Sequence, residues 1–370
     1  MRITFVLGCA WRPLGGPRVV YEYVNHLAAR GHQVTVVHAR RMLNPPPAPD
    51  FYRWLRRKGA EARDLLLTSG ILGRPQIRWQ PIDPRVRMLF VPDLRARYVP
   101  EGDAVFATAW HTAESVAKYP EEKGKKFYLI QHYETWAGPK DRVDATWRAP
   151  MHKIVVARWL FQLGLELGCR DGEMSCIPNA VDHARFRVLR DIRSRPKRVA
   201  MLFSLHRWKG CEEGFQALEN ARRVHPDLEA VVFGTCWRRP SISAWAEYRR
   251  DPPQHELVER IYNSSRIFLC PSWYEGFSLV SAEAMACGCA LVATDSRGNR
   301  EFAHPSSNAL LSTPRDVAAL TRNLLLALED DELRIRMAEA GVAEVQRFTW
   351  DRSTDLLEKV LSTHAHVGKA

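Results

Sequence analysis

The chain has 370 residues, 46% of them hydrophobic and 26% charged, with a formal net charge of +12. That length accommodates two α/β domains of ordinary size, and the composition is not that of a disordered chain. No run approaches the roughly 18 apolar residues of a membrane span, and the eight cysteines, with no C-x-x-C pair, argue against a disulfide framework or a metal site.

Charge is unevenly placed. Residues 1–180 carry 27 Lys+Arg against 17 Asp+Glu, whereas residues 181–370 carry 27 against 25. The amino half therefore presents the positive surface, suited to an anionic membrane leaflet or an acidic acceptor. No nucleic-acid module is recognisable, so nucleic acid is not an expected partner.

Residues 2–7 read as a buried first strand, with too little before them for a signal peptide, so a cytoplasmic location is expected. A turn with Pro13, Gly15 and Gly16 precedes a helix over 19–30, apolar at Val20, Tyr23, Val24 and Leu27. The two glycines let backbone approach a phosphate or an acceptor hydroxyl, or simply form a tight turn. The dinucleotide pattern G-x-G-x-x-G is absent. After a strand over 34–37, residues 44–49 form a proline-rich spacer. A basic helix follows over 51–67, setting Phe51, Trp54 and Leu55 beside Arg53, Arg56, Arg57, Lys58 and Arg63. Such a helix either packs on its own domain by its apolar side or lies on an anionic membrane. Each cation near the leaflet is worth about 1 kcal/mol, so the docking would be weak and salt-sensitive.

Strands are expected over 86–91, 104–107 and 126–130. His111 opens the helix after the second of these, and Gln131-His132-Tyr133-Glu134 follows the carboxyl end of the third. In parallel sheets that end faces the ligand, which makes His132 and Glu134 candidates, although an isolated histidine is more often structural. A strand over 154–157, a helix over 158–167 and a strand over 175–177 complete a first domain of residues 1–180. Residues 190–197 are polar and basic, with a proline, as linkers are. The second domain opens with a strand over 198–203. Ser204 begins the following turn, where Arg207 and Lys209, just before Gly210, either neutralise a diphosphate or form a solvated basic turn.

A strand over 229–233 and a helix over 256–263 lead to the most informative stretch. The apolar run Ile267-Phe268-Leu269-Cys270 stops at Pro271, which cannot donate to a sheet ladder. A loop with Trp273, Tyr274 and Glu275 follows, then a helix over 279–287, closed by Gly288, and a second apolar strand over 290–293. This strand–loop–helix–strand order is the unit of a parallel sheet. The amides of Phe277, Ser278 and Leu279 make a helix end suited to phosphate. Glu275 precedes that end and Glu283 lies inside the helix. Two carboxylates so placed can hold hydroxyls on both sides of a diphosphate, as in a nucleotide-sugar; alternatively Glu275 caps the helix and Glu283 forms a salt bridge. Helices over 315–328 and 331–348 and a terminal helix to about residue 361 finish the chain.

Pro271-Ser272-Trp273-Tyr274-Glu275-Gly276-Phe277-Ser278-Leu279, then Glu283-Ala284-Met285-Ala286-Cys287-Gly288 and Val292-Ala293-Thr294-Asp295, resembles the donor-site signature of the family-4 retaining glycosyltransferases, the group 1 family of the GT-B fold. Lys209-Gly210 is similar to the family's Lys-Gly turn, and Pro178-Asn179-Ala180-Val181-Asp182 to its P-N-G-V-D crossover, with Ala for Gly. Gly15-Gly16 resembles its opening, and the Gln131–Glu134 run resembles rhamnosyltransferase-like members. Two departures stand out: Ser278 replaces a usual Gly, and Arg297-Gly298 replaces Gly-Gly, adding bulk and charge near the donor.

The resemblance implies an α/β, GT-B architecture of two Rossmann-like domains facing across a cleft. Residues 1–180 would take the acceptor, 181–350 the donor, and the helix in 351–370 would cross back to the first domain. It implies transfer of a sugar, with retained configuration, from a nucleotide-diphosphate sugar to a glycan, lipid-linked glycan or small-molecule acceptor. Lys209, Arg207 and the amides at 277–279, beside Gly276, would stabilise the leaving diphosphate. Glu275 would hold the transferred sugar, Glu283 the ribose, and His132 the sugar or the departing phosphate. Glu134 would serve the acceptor side, with Gly15, Gly16, Ser204 and Arg297 near the donor. No residue is an obvious nucleophile, which fits same-face attack assisted by the donor phosphate. No D-x-D-like pair is seen, so no essential metal or other cofactor is expected. A phosphorylase or epimerase of the same fold is an alternative, as is a non-catalytic sugar-nucleotide-binding relative in which Arg297 blocks the sugar.

Overall fold

The computed structural model describes residues 1–11, 13–43, 45, 51–69 and 77–364. The spacer expected at 44–49 lies, Pro45 apart, outside them. Contacts divide the chain into two compact units: one runs over Met1–Ile177 and resumes at Trp350, the other is Pro178–Thr349.

The first unit holds one parallel sheet of β1 (Arg2–Gly8), β2 (Gln33–Ala39), β3 (Arg87–Val91), β4 (Ala104–Ala107), β5 (Lys125–Ile130), β6 (His152–Val155) and β7 (Met174–Cys176). Its order is β3-β2-β1-β4-β5-β6-β7. Central strands such as β4 are buried along their whole length, which is why they read as apolar runs rather than alternating ones. Phe5, Phe106 and Phe127 stack across β1, β4 and β5, with ring centroids 4.5 and 4.9 Å apart. Helices α1 (Gly15–Ala29), α2 (Phe51–Thr68), α3 (Trp110–Val116), α4 (Lys140–Arg148) and α5 (Arg158–Glu166) connect the strands. The structure corrects the start of α1. Gly15 and Gly16 lie in its first turn rather than in a loop before it, and Pro17 fits there because a first-turn N–H has no intrahelical acceptor to lose.

The second unit has a six-stranded parallel sheet. Its strands are β8 (Arg198–Leu202), β9 (Glu229–Gly234), β10 (Glu247–Arg250), β11 (Ile267–Cys270), β12 (Ala290–Thr294) and β13 (Ala309–Ser312), in order β10-β9-β8-β11-β12-β13. The helices are α6 (Cys211–Val224), α7 (Gln254–Glu256, continuing as a π-helix over Leu257–Tyr262), α8 (Leu279–Ala286), α9 (Val317–Glu329) and α10 (Asp331–Val345). Asp316 and Asp330 cap α9 and α10 by accepting from Ala319 N and Leu333 N, both at 2.8 Å. Charged β10 was not expected as a strand; it occupies the sheet edge, where only one neighbour is needed and charge discourages further pairing.

The two ends of the second unit lie side by side, with Val181 N donating to Phe348 O at 3.0 Å. Helix α11 (Trp350–His364) then returns to the first unit. There Trp350 packs edge-on against Tyr23 at 5.3 Å, and Arg30, the C-cap of α1, binds Asp355 and Glu358, both at 2.5 Å. All eight cysteines are free thiols. Among the described residues no helix is long and apolar enough to cross a membrane.

Each sheet reverses its strand order beside its first strand, at β1/β4 and at β8/β11. Parallel α/β sheets bind ligands outside the carboxyl ends of their strands at such a point. At the second reversal the backbone is unusually close. Gly210 has φ +61°, and a Cβ there would lie 2.0 Å from Pro271 O. Gly210→Ala should therefore lower stability by roughly 2–4 kcal/mol, read from urea unfolding; an unchanged midpoint would contradict the close approach.

Candidate functional site

The loops leaving β8 and β11 bring together polar and aromatic side chains. Lys209 Nζ lies 2.7 and 2.9 Å from the two oxygens of Glu275, and Ser272 Oγ donates to Glu275 Oε1 at 2.7 Å. The Glu275 side chain is 8% exposed and that of Lys209 22%. Burial works to lower the Lys209 ammonium, but the Glu275 charge and its hydrogen bonds override this and hold the group above its ordinary value. Lys209 is therefore a cation near neutrality. A small cavity lined by Leu202, Lys209, Cys270, Ser272, Glu275 and Val280 adjoins the pair.

Backbone and rings fasten the two loops together. Trp273 N donates to Trp208 O at 2.7 Å. The Trp208 and Tyr274 rings are within 10° of parallel at 6.3 Å, and His206 stacks on Trp208 at 4.3 Å. Arg207 is exposed on the same turn, outside the Lys209–Glu275 pair. Ser204 shapes the turn: its N–H donates to Cys211 Sγ and its Oγ accepts from His206 N, each at 3.3 Å.

The two sequence departures acquire a physical account. Ser278 is the N-cap of α8 with φ +69°, a left-handed conformation that glycine adopts without cost. Its hydroxyl lies 2.8 Å from Ser281 Oγ. Arg297 also has positive φ, +66°. Its side chain is exposed, while its backbone bridges to Glu275, whose N–H donates to Ser296 O at 2.8 Å. Gly298 is the true contact glycine, since a Cβ there would lie 2.5 Å from Gly276 O. Phe277 contributes at most its backbone to a ligand, because its ring packs on Phe302 and Phe348 at 5.3 and 5.6 Å. Leu279 is the first residue of α8, whose opening amides have no intrahelical acceptors. Glu283, 1% exposed, is buried within the same helix.

In the first unit, Gln131 Nε2 donates to Gly16 O at 3.0 Å, tying the end of β5 to the first turn of α1. His132 Nδ1 lies 3.2 Å from Tyr133 O, with Trp136 and Trp159 edge-on to its ring. Glu134 Oε2 accepts from Trp110 N at 2.7 Å. Burial pushes that carboxyl up to about 7, against the opposing pull of the Trp110 N–H. Burial likewise pushes His111 down to about 4, so it is neutral at physiological pH. Sequence reasoning gave no role to Ser272 or Gln131. A hydroxyl three residues before a carboxylate was the available signal for Ser272; nothing local marks Gln131. Among the described residues no group of three or more His, Cys, Asp or Glu side chains is placed to hold a metal ion.

Residues 184–343 match the family model for group 1 glycosyl transferases. Over this segment the chain is similar to the group 1 glycosyl transferases. O-antigen chain mannosyltransferase B of Escherichia coli is 32% identical over 116 residues, which is 31% of this chain and 30% of that protein. D-inositol 3-phosphate glycosyltransferase of Corynebacterium jeikeium is 33% identical over 119 residues, 32% of this chain and 28% of that one. The match to the O-antigen biosynthesis protein RfbC of Myxococcus xanthus is longer, 26% identity over 83% of this chain but 23% of the relative. The chain thus spans less than a third of the length of these three relatives. Among solved structures, sucrose-phosphate synthase of Thermosynechococcus elongatus superimposes with a TM-score of 0.72 at 16% identity, covering 98% of each chain. HepE of Anabaena in complex with UDP-glucose gives 0.69 at 16% identity, covering 98% of this chain and all of that one (100%). These superpositions show that the chain has the GT-B fold.

The unusual Glu134 gives a pH prediction. Its folded value of about 7 exceeds the ordinary 4.5, so the unfolded chain releases this proton first and stability falls as pH rises between them. Glu134→Gln retains an oxygen for the Trp110 N–H and should flatten that fall. Urea midpoints of the two proteins at about pH 5 and about pH 8 measure it, and an unaltered slope counts against the burial argument.

Proposed function

We propose that this chain is a group 1 glycosyltransferase and moves a sugar, with retained anomeric configuration, from a nucleotide-diphosphate sugar to an acceptor hydroxyl. The observation that carries the reading is the Lys209–Glu275 pair at the strand-order reversal of the second unit. A cation, the first-turn amides of α8 and a carboxylate meet there, and a diphosphate ester of a sugar needs all three. Lys209, exposed Arg207 and the α8 amides stabilise the charge that develops on the leaving diphosphate. Glu275 holds hydroxyls of the transferred sugar, and buried Glu283 those of the ribose. His132 contacts the sugar or the departing phosphate. The acceptor oxygen bonds to the anomeric carbon as the bond to the donor phosphate breaks, and its proton passes to that phosphate. No metal is required in this scheme.

HepE, which was crystallised with UDP-glucose, supports a nucleotide-diphosphate donor. The mannosyltransferase named for the O-antigen chain supports a glycan or lipid-linked glycan as acceptor. Membership of family 4 and a rhamnosyltransferase-like character belong to the same proposal, resting on Glu275, Glu283 and the Gln131–Glu134 run.

The proposal includes peripheral contact with an anionic, cytoplasm-facing membrane through α2. The helix turns Asp64 inward, where it is buried and accepts from Trp11 Nε1 at 3.0 Å. Phe51 (74% exposed) and Leu55 (51%) project outward with Arg56 and Lys58. A helix that keeps rings and cations outside and a carboxylate inside suits a lipid headgroup layer.

Glu275→Ala should abolish acceptor-dependent release of nucleoside diphosphate while the far-UV circular dichroism stays that of the folded parent; parental turnover would refute the role. In flotation assays the protein should bind phosphatidylglycerol vesicles at low salt and leave them at high salt. Equal affinity for neutral phosphatidylcholine vesicles would defeat the electrostatic account.

A further inference from the structure

In the proposed function Lys209 and Glu275 serve different parts of one donor, the diphosphate and the sugar. In the structure each is engaged by the other: one ammonium spans both carboxylate oxygens, at 2.7 and 2.9 Å. We infer that Glu275 is the resting counter-ion of Lys209, and that the donor's diphosphate displaces it, so that binding the diphosphate releases the carboxylate for the sugar. This rests on the proposed function and adds a partner exchange to it.

Three features suit the exchange. Lysine is a compact point charge on a flexible stem, able to change partners with little movement, unlike a bidentate guanidinium. Glu275 keeps the Ser272 Oγ hydrogen bond at 2.7 Å when the ammonium leaves, so the carboxylate is not left bare. The surrounding loops are fixed independently of the pair. Gly210 abuts Pro271, Trp273 N binds Trp208 O, and the Trp208 and Tyr274 rings stack. The opening is therefore a side-chain event on a constant backbone.

The consequence is selectivity for the loaded donor. A nucleotide-sugar offers a phosphate to Lys209 and hydroxyls to Glu275, so both charges regain partners. A nucleoside diphosphate offers only the first, and Glu275 competes with it for Lys209. The same competition favours departure of the spent nucleotide after transfer.

The test is calorimetric titration with UDP, GDP and dTDP, using whichever the parent protein binds. Lys209→Met should weaken binding, and Glu275→Gln should tighten it about tenfold, the value of one charge-assisted hydrogen bond. In the Lys209→Met background, Glu275→Gln should change affinity little. If the gain persists without Lys209, relief of general charge repulsion explains it and the exchange is wrong. If folded Glu275→Gln binds no tighter than the parent, the exchange is likewise wrong, while weak binding by Lys209→Met still supports the proposed function. If Lys209→Met binds like the parent, or the parent binds none of the three nucleotides, the proposed function itself fails. Should Glu275→Gln not fold, Glu275→Asp, whose shorter reach loosens the pair, must show the same tightening or the inference is overturned.

Discussion

The site depends on a contact between two pieces of main chain. Gly210 presses against the Pro271 carbonyl so closely that no side chain fits between them. Because that approach is allowed, the turn after β8 and the loop after β11 run together, and an ion pair can form between residues one place before Gly210 and four places after Pro271. The remaining fastenings follow from the same proximity: the Trp273–Trp208 backbone bond, the parallel rings and the Ser272 hydroxyl on Glu275. A second close approach, Gly298 against Gly276, sets the other side of Glu275. Glycines thus place a carboxylate by what they lack, and the chemistry is added by the residues next to them.

Much of this was readable before the structure. Ile267–Cys270 and Ala290–Thr294 are short apolar runs ended by breakers, so the strands of the second sheet declared themselves. Lys209-Gly210 and the Glu275 motif, 66 residues apart, could be recognised separately but not joined by local pattern alone. Their meeting is a property of sheet order. The same limit hid Gln131 and its bond to Gly16, which spans 115 residues. Elements with weak local signals were missed for ordinary reasons. Helix α4 is polar on average, and β10 is a charged edge strand whose stability comes from β9 rather than from its own composition.

The departures from the family pattern show why a motif letter is not always a chemical requirement. At Ser278 and Arg297 the backbone has the positive φ that glycine favours, although neither residue is glycine. The strain is local, on the order of 1–3 kcal/mol at each position, and is absorbed by the packing on either side. Gly210 and Gly298 are different, since there another part of the chain stands in the way, at Gly210 in addition to its positive φ. Glu134 illustrates the converse, a residue whose type was noted from its position after β5 but whose altered acidity comes only from the burial that folding imposes.

The pairing of Val181 with Phe348 has a further meaning for how such a chain is assembled. Entry to and exit from the second unit occur at neighbouring points, so topologically that unit is a cassette spliced into the first. Recombination at this doorway could trade one cassette for another without redrawing either sheet, leaving α11 and its clasp on α1 to seal the host. Variation in the one unit and variation in the other would then be inherited along separate lines.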